Sequence, residues 1–170
     1  MKTMAEMNEA TIKKDRLRFT KNKLSADLII LSIVANALYF VSIYRSDVGN
    51  YYYKLMIGAS VVYNLVFMLA AFLASEGVKN YKLVYSFVAV ILGVLQAGRI
   101  FVLPLDALNT PSPVVGAENE TVMTGGQFTH VAICLCISAA LLIIGGVIAF
   151  IKTKTLNSYC AELEKNDQGK

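Results

Sequence analysis

The chain has 170 residues, 56% hydrophobic and 16% charged, with a mean hydropathy of +0.55. Soluble domains average about 45–50% apolar and about 25% charged, so composition excludes an ordinary soluble domain and points to one small membrane domain. The net charge of +4 comes from Lys and Arg beside apolar blocks, without the interleaved aromatics of a single-strand binding surface, so no nucleic-acid partner is expected.

Residues 1–23 form a basic tail with no apolar core and therefore no signal peptide. Its stretch "TIKKDRLRFTKNK" mixes Ile12, Leu17 and Phe19 with six basic residues. It reads either as a short interfacial helix on an anionic inner leaflet or as a solvated tail. A four-span domain follows over residues 24–151. The first span, residues 26–44, carries Ser25 as N-cap and Asp27 in its first turn. The second covers 53–74. The third covers 83–103, and Pro104 is expected to stop it. The fourth covers 128–151. Each approaches the roughly 20 residues that cross about 30 Å of hydrocarbon. Residues 104–127 form an acidic loop with Pro111 and Pro113, expected to be an irregular cap or a mobile loop. Residues 152–170 read as a cytoplasmic tail.

Thirteen of the sixteen basic residues fall in the two tails and the second loop, which the positive-inside rule places in the cytoplasm. The expected fold is thus all-α, an antiparallel four-helix transmembrane bundle with both termini cytoplasmic. Tyr39, Phe40 and Tyr44 at one end, and Tyr81 and Tyr85 at the other, read as interfacial aromatic belts. Twelve Lys against four Arg, with no Trp, fit a bacterial chain, and hence the inner (plasma) membrane.

Catalytic signatures are absent: no GxxxxGK, GxGxxG, HExxH or CxxC occurs, and a single histidine excludes multi-histidine metal sites. No cofactor or metal is expected. Cys134 and Cys136 point to opposite sides of a helix and read as small packing residues. Ala89, Gly93 and Ala97 recur every four residues, a small-residue stripe for close helix packing, met by Gly58 and Ser60 or by Gly145 and Gly146.

The polar residues inside the spans are the candidate site. Asn36 and Asn64 lie near mid-span at similar depth, either bonded across helices or lining a cavity. Gln96 and Arg99 share a face of the third span, and His130 opens the fourth. Arg99 lies about 7.5 Å before Pro104, within reach of snorkelling to the headgroups. The alternative is an inward turn, paired with Asp47, Asp106 or His130. Two function classes remain open. One is an accessory or structural subunit of a transport or envelope complex, packed on a membrane partner. The other is a small transporter or channel, as a homo-oligomer or alone, using Asn36, Asn64, Gln96 and Arg99. An enzyme ranks third, because no nucleophile, base or metal set is visible.

Overall fold

The computed structural model of the protein describes residues 11–12, 21–43, 51–111 and 121–168; within α2 and the last helix, the side chains of 51–54, 56–57, 163–164 and 166–168 are outside the description. Among the described residues the elements are α1 (Lys23–Ile43), α2 (Tyr51–Lys79), α3 (Leu83–Gly98), a 3-10 turn (Arg99–Phe101), α4 (Pro104–Asn109) and α5 (Gly125–Gln168). Four stretches are long and apolar enough to cross a membrane by length and composition: Lys23–Ile43, Gly58–Lys79, Leu83–Asn109 and Gly125–Glu162.

The helices pack through small residues and hydroxyls. A Cβ on Gly93 of α3 would lie 2.7 Å from Ile143 Cγ1 and 3.1 Å from the Ala139 carbonyl oxygen of α5. Two neighbouring glycines of α5 face different partners, since successive residues turn about 100° round a helix. Gly145 lies against Ser25 and Ile29 of α1, and Gly146 against Ser86 and Val90 of α3. Ser138 Oγ–H donates to the Ser32 carbonyl at 3.0 Å, and Ser75 Oγ–H to the Ala26 carbonyl at 3.1 Å. These bonds tie α5 to α1 and the end of α2 to the start of α1.

Two apolar cores result. One gathers Ile29, Phe67, Ala71, Val78, Ala89 and Leu142. The other gathers Tyr39, Ile43, Leu103, Ala107, Met123 and Leu135. Outward faces stay apolar too: Leu31, Val34 and Leu38 of α1 and Leu65, Val66 and Leu69 of α2 are all exposed. A surface this apolar on the four long helices is the pattern of a chain solvated by hydrocarbon.

Several expectations need correction. α1 starts at Lys23, so Ser25 is a buried helical residue rather than a cap, and Asp27 is not in the first turn. The Asn22 N–H donates to the Lys79 carbonyl at 3.2 Å, which starts the helix early by tying its end to α2. Pro104 does not stop α3. The helix tightens into the 3-10 turn first, and Pro104 then opens α4, where its missing N–H and fixed φ suit the first turn. The expected loop is partly ordered. Ala107, Val122 and Met123 are buried, and the Met123 N–H donates to the Ala107 carbonyl at 3.1 Å. Residues 152–168 continue α5 without a break, giving 44 helical residues. The stretch expected as a tail, 152–170, is helical as far as Gln168.

α2 ends in a Schellman motif. The Lys82 N–H reaches the Gly77 carbonyl at 3.0 Å, the Tyr81 N–H reaches the Val78 carbonyl at 3.0 Å, and Tyr81 takes a φ of 57°. A Cβ on Gly77 would fall inside the Tyr85 ring, so Gly77 is required for the α2–α3 turn to close. Tyr85 is thereby a packing residue of the α2–α3 turn.

Candidate functional site

Between the two cores, α1, α2 and α3 each present polar side chains to a common point. Asn36 comes from α1, Ser60, Tyr63 and Asn64 from α2, and Gln96 with Arg99 from the end of α3 and its 3-10 turn. Asn36 and Gln96 are fully buried, Asn64 is 3% exposed and Arg99 is 8% exposed.

Their hydrogen bonds form a directional network. The Gln96 Nε2–H donates to Asn36 Oδ1 at 2.6 Å, and the Asn36 Nδ2–H donates to Asn64 Oδ1 at 3.1 Å. One guanidinium nitrogen of Arg99 donates to Asn64 Oδ1 at 2.7 Å, with a longer contact of 3.5 Å to Asn36 Oδ1. The other donates to Ser60 Oγ at 2.5 Å and lies 3.5 Å from the Ser60 carbonyl oxygen. The cation sets the orientation of both amides. Arginine has only donors, so both asparagine oxygens must turn towards it. That arrangement leaves Asn64 Nδ2 and Gln96 Oε1 without partners among the described residues.

Two aromatic faces complete the shell. The Arg99 guanidinium carbon lies 4.4 Å from the Tyr39 ring centroid and 4.6 Å from that of Tyr63. Each cation–π contact contributes up to about 2 kcal/mol when desolvated. A lone arginine at mid-membrane costs about 2.5–3.5 kcal/mol on insertion scales, so amides, hydroxyl and rings together offset a penalty of that size. Among the described residues the partners of Arg99 are all neutral.

A cleft of about 610 Å³ opens beside the guanidinium, lined by Ser60, Tyr63 and Arg99 at its polar end and by Val94, Leu95 and Val102 along its wall. Those three wall residues are more than half exposed, so the cleft opens sideways between α2 and α3. The Tyr63 hydroxyl is buried and has no partner among the described residues.

The structure therefore brings together Asn36, Asn64, Gln96 and Arg99 and leaves His130 apart. His130 is exposed, 3.9 Å from Cys134 Sγ, beside a second cleft of about 350 Å³ with Ser42, Gly126 and Gln127. Arg99 does not snorkel outward. It turns inward, towards amides rather than Asp106 or His130; Asp47 and Tyr44 lie outside the described residues. Tyr39 is fully buried against Arg99 and so is not a belt residue. Of the stripe, Ala89 and Gly93 are buried and Ala97 is half-buried; Gly146 meets it, whereas Gly58 has open space around its Cα. Ser60 acts as a hydrogen-bond acceptor as well as a small residue. Tyr39 and Tyr63 are the members that sequence reasoning misses. The signal was there: Ser60, Tyr63, Asn64 and Phe67 follow the spacing of one helix face.

Among the described residues no three His, Cys, Asp or Glu side chains converge as metal ligands. The arrangement holds a positive charge at the polar end of an apolar cleft. No known family model matches the chain, and neither curated proteins nor solved structures show a significant match.

Proposed function

We propose that the protein is a multi-pass membrane protein of a bacterial inner membrane, its four spans packed antiparallel with both termini cytoplasmic, that binds a ligand within the membrane at Arg99. It belongs on this reading with small transporters and ligand-binding membrane proteins, not enzymes. The observation that carries it is a buried guanidinium whose partners among the described residues are neutral, placed at the polar end of a 610 Å³ cleft. A charge held so is a poor stabiliser. Replacing buried ionic groups by apolar ones of similar volume is often neutral or stabilising, so we read this charge as serving a ligand rather than the fold. The small-residue stripe no longer argues for an outside partner, because Gly93 packs on α5 within the chain.

Arg99→Met tests the ligand-site reading by thermal unfolding in detergent after removal of lipid. A melting temperature equal to or above wild type is expected. A marked drop would make the charge a structural fixture. The threading is tested by single cysteines at positions 10 and 115 in a background without native cysteines. An impermeant thiol reagent on whole cells should label position 115 and spare position 10; the reverse pattern would overturn the orientation.

One observation favours a second reading, the accessory subunit. α5 has 44 residues and runs about 66 Å, twice the hydrocarbon thickness. Its distal half offers a helix to a partner outside the bilayer.

A further inference from the structure

We infer that the cleft between α2 and α3 takes up a single-chain anionic amphiphile of the fatty-acid type from the bilayer, its carboxylate on Arg99 and its chain along Val94, Leu95 and Val102. The inference rests on the ligand-site reading of Arg99 given above and adds the class of ligand.

The polar end of the cleft selects the head. Arg99 is a cation, and Tyr63, which lines the cleft beside it, carries a hydroxyl without a partner among the described residues. Arg99 has only N–H groups to offer, and the Tyr63 O–H can donate as well. A donor-rich, cationic end calls for an anionic acceptor, and a carboxylate matches the guanidinium fork. The unpartnered acceptor, Gln96 Oε1, does not line the cleft.

The wall selects the tail. Val94 and Val102 are 60% and 59% exposed, and Leu95 is exposed beside them in the lining. An inorganic anion would leave this apolar wall without a partner, whereas an acyl chain covers it. The volume of 610 Å³ falls within the range of about 300–1,000 Å³ for small-molecule sites, which suits one chain rather than a two-chain phospholipid. Depth agrees. Arg99 precedes Pro104 by five residues, about 7.5 Å along a helix, and its side chain turns to Asn64 rather than to the helix end. A phospholipid phosphate would sit nearer that end, while a free carboxylate can descend to the guanidinium.

The test is native mass spectrometry of the full chain released from detergent micelles after incubation with palmitate, hexadecanol or phosphatidylglycerol at equal concentration. Wild type should carry one palmitate, with hexadecanol and phosphatidylglycerol adducts weaker by about tenfold or more, as expected for loss of a charge-assisted contact. Arg99→Met and Tyr63→Phe should reduce the palmitate adduct. Gly98→Leu should abolish it with the cation still present, because Gly98 lines the cleft and a Cβ there meets nothing within 4 Å. Melting curves establish that each variant is folded. The inference falls if folded wild type carries no palmitate, if hexadecanol or phosphatidylglycerol binds as well, or if Gly98→Leu retains palmitate. Failure of palmitate to bind, with Arg99→Met as stable as wild type, removes this ligand class and leaves the ligand-site reading standing. Failure with Arg99→Met clearly destabilised overturns both.

Discussion

Arg99 is held by geometry that a lysine cannot copy. Its two terminal nitrogens reach different residues, Asn64 and Ser60, while its plane lies near two rings. Tyr63 carries a hydroxyl without a partner among the described residues, so Tyr63→Phe keeps the ring and removes an orphan group. It should leave stability within about 0.5 kcal/mol of wild type. Tyr39→Leu removes a ring beside a desolvated cation and should cost about 2 kcal/mol. Detergent unfolding of the two variants measures both; equal losses would show that the rings serve only as packing. The polar residues themselves were legible in the sequence, because Asn36, Asn64, Gln96 and Arg99 interrupt apolar runs. The direction of Arg99 was not. Distance from Pro104 along the chain fixes depth, but only the neighbouring helices fix which way a side chain turns. Tyr39 misled for a related reason: an aromatic near a span end fits a belt and a buried stack equally well until the facing helix is known.

At the scale of the helix, glycine placement decides which faces meet. Gly93 lies so close to α5 that a Cβ would meet Ile143 and the Ala139 carbonyl oxygen, a backbone atom that cannot yield cheaply. Gly58 meets nothing within 4 Å. Gly93→Leu should therefore destabilise by about 1–3 kcal/mol or more, as overpacking does, while Gly58→Leu should be nearly silent. Equal melting temperatures for the two variants would contradict the α3–α5 contact. The four-residue period of Ala89, Gly93 and Ala97 announced this contact in the sequence. The four spans were legible for the same kind of reason, since a long apolar run needs no partner to be recognised. The short α4 and the buried Val122 and Met123 were not, because a turn-rich acidic segment carries no periodicity that marks its buried positions. The continuation of α5 past residue 151 was hidden by a change of composition. "KTKTLNSYC" is polar, yet nothing in it breaks a helix, so the helix runs on where hydropathy falls.

For the molecule as a whole, the polar cluster lies between two apolar cores and is built from three helices, so it couples their packing to the charge at Arg99. A guanidinium snorkelling to the surface would leave α1 and α2 indifferent to it. One held among amides makes its own removal and that of Asn64 interdependent. The direct measurement is a pair of thermodynamic cycles in detergent, Arg99→Ala with Asn64→Ala and Arg99→Ala with Asp106→Asn. Contacting residues couple by about 0.5–3 kcal/mol, and separated ones add. The arrangement described predicts non-additivity with Asn64 and additivity with Asp106. Strict additivity with Asn64, or coupling to Asp106 alone, would place the charge outside the bundle and contradict it.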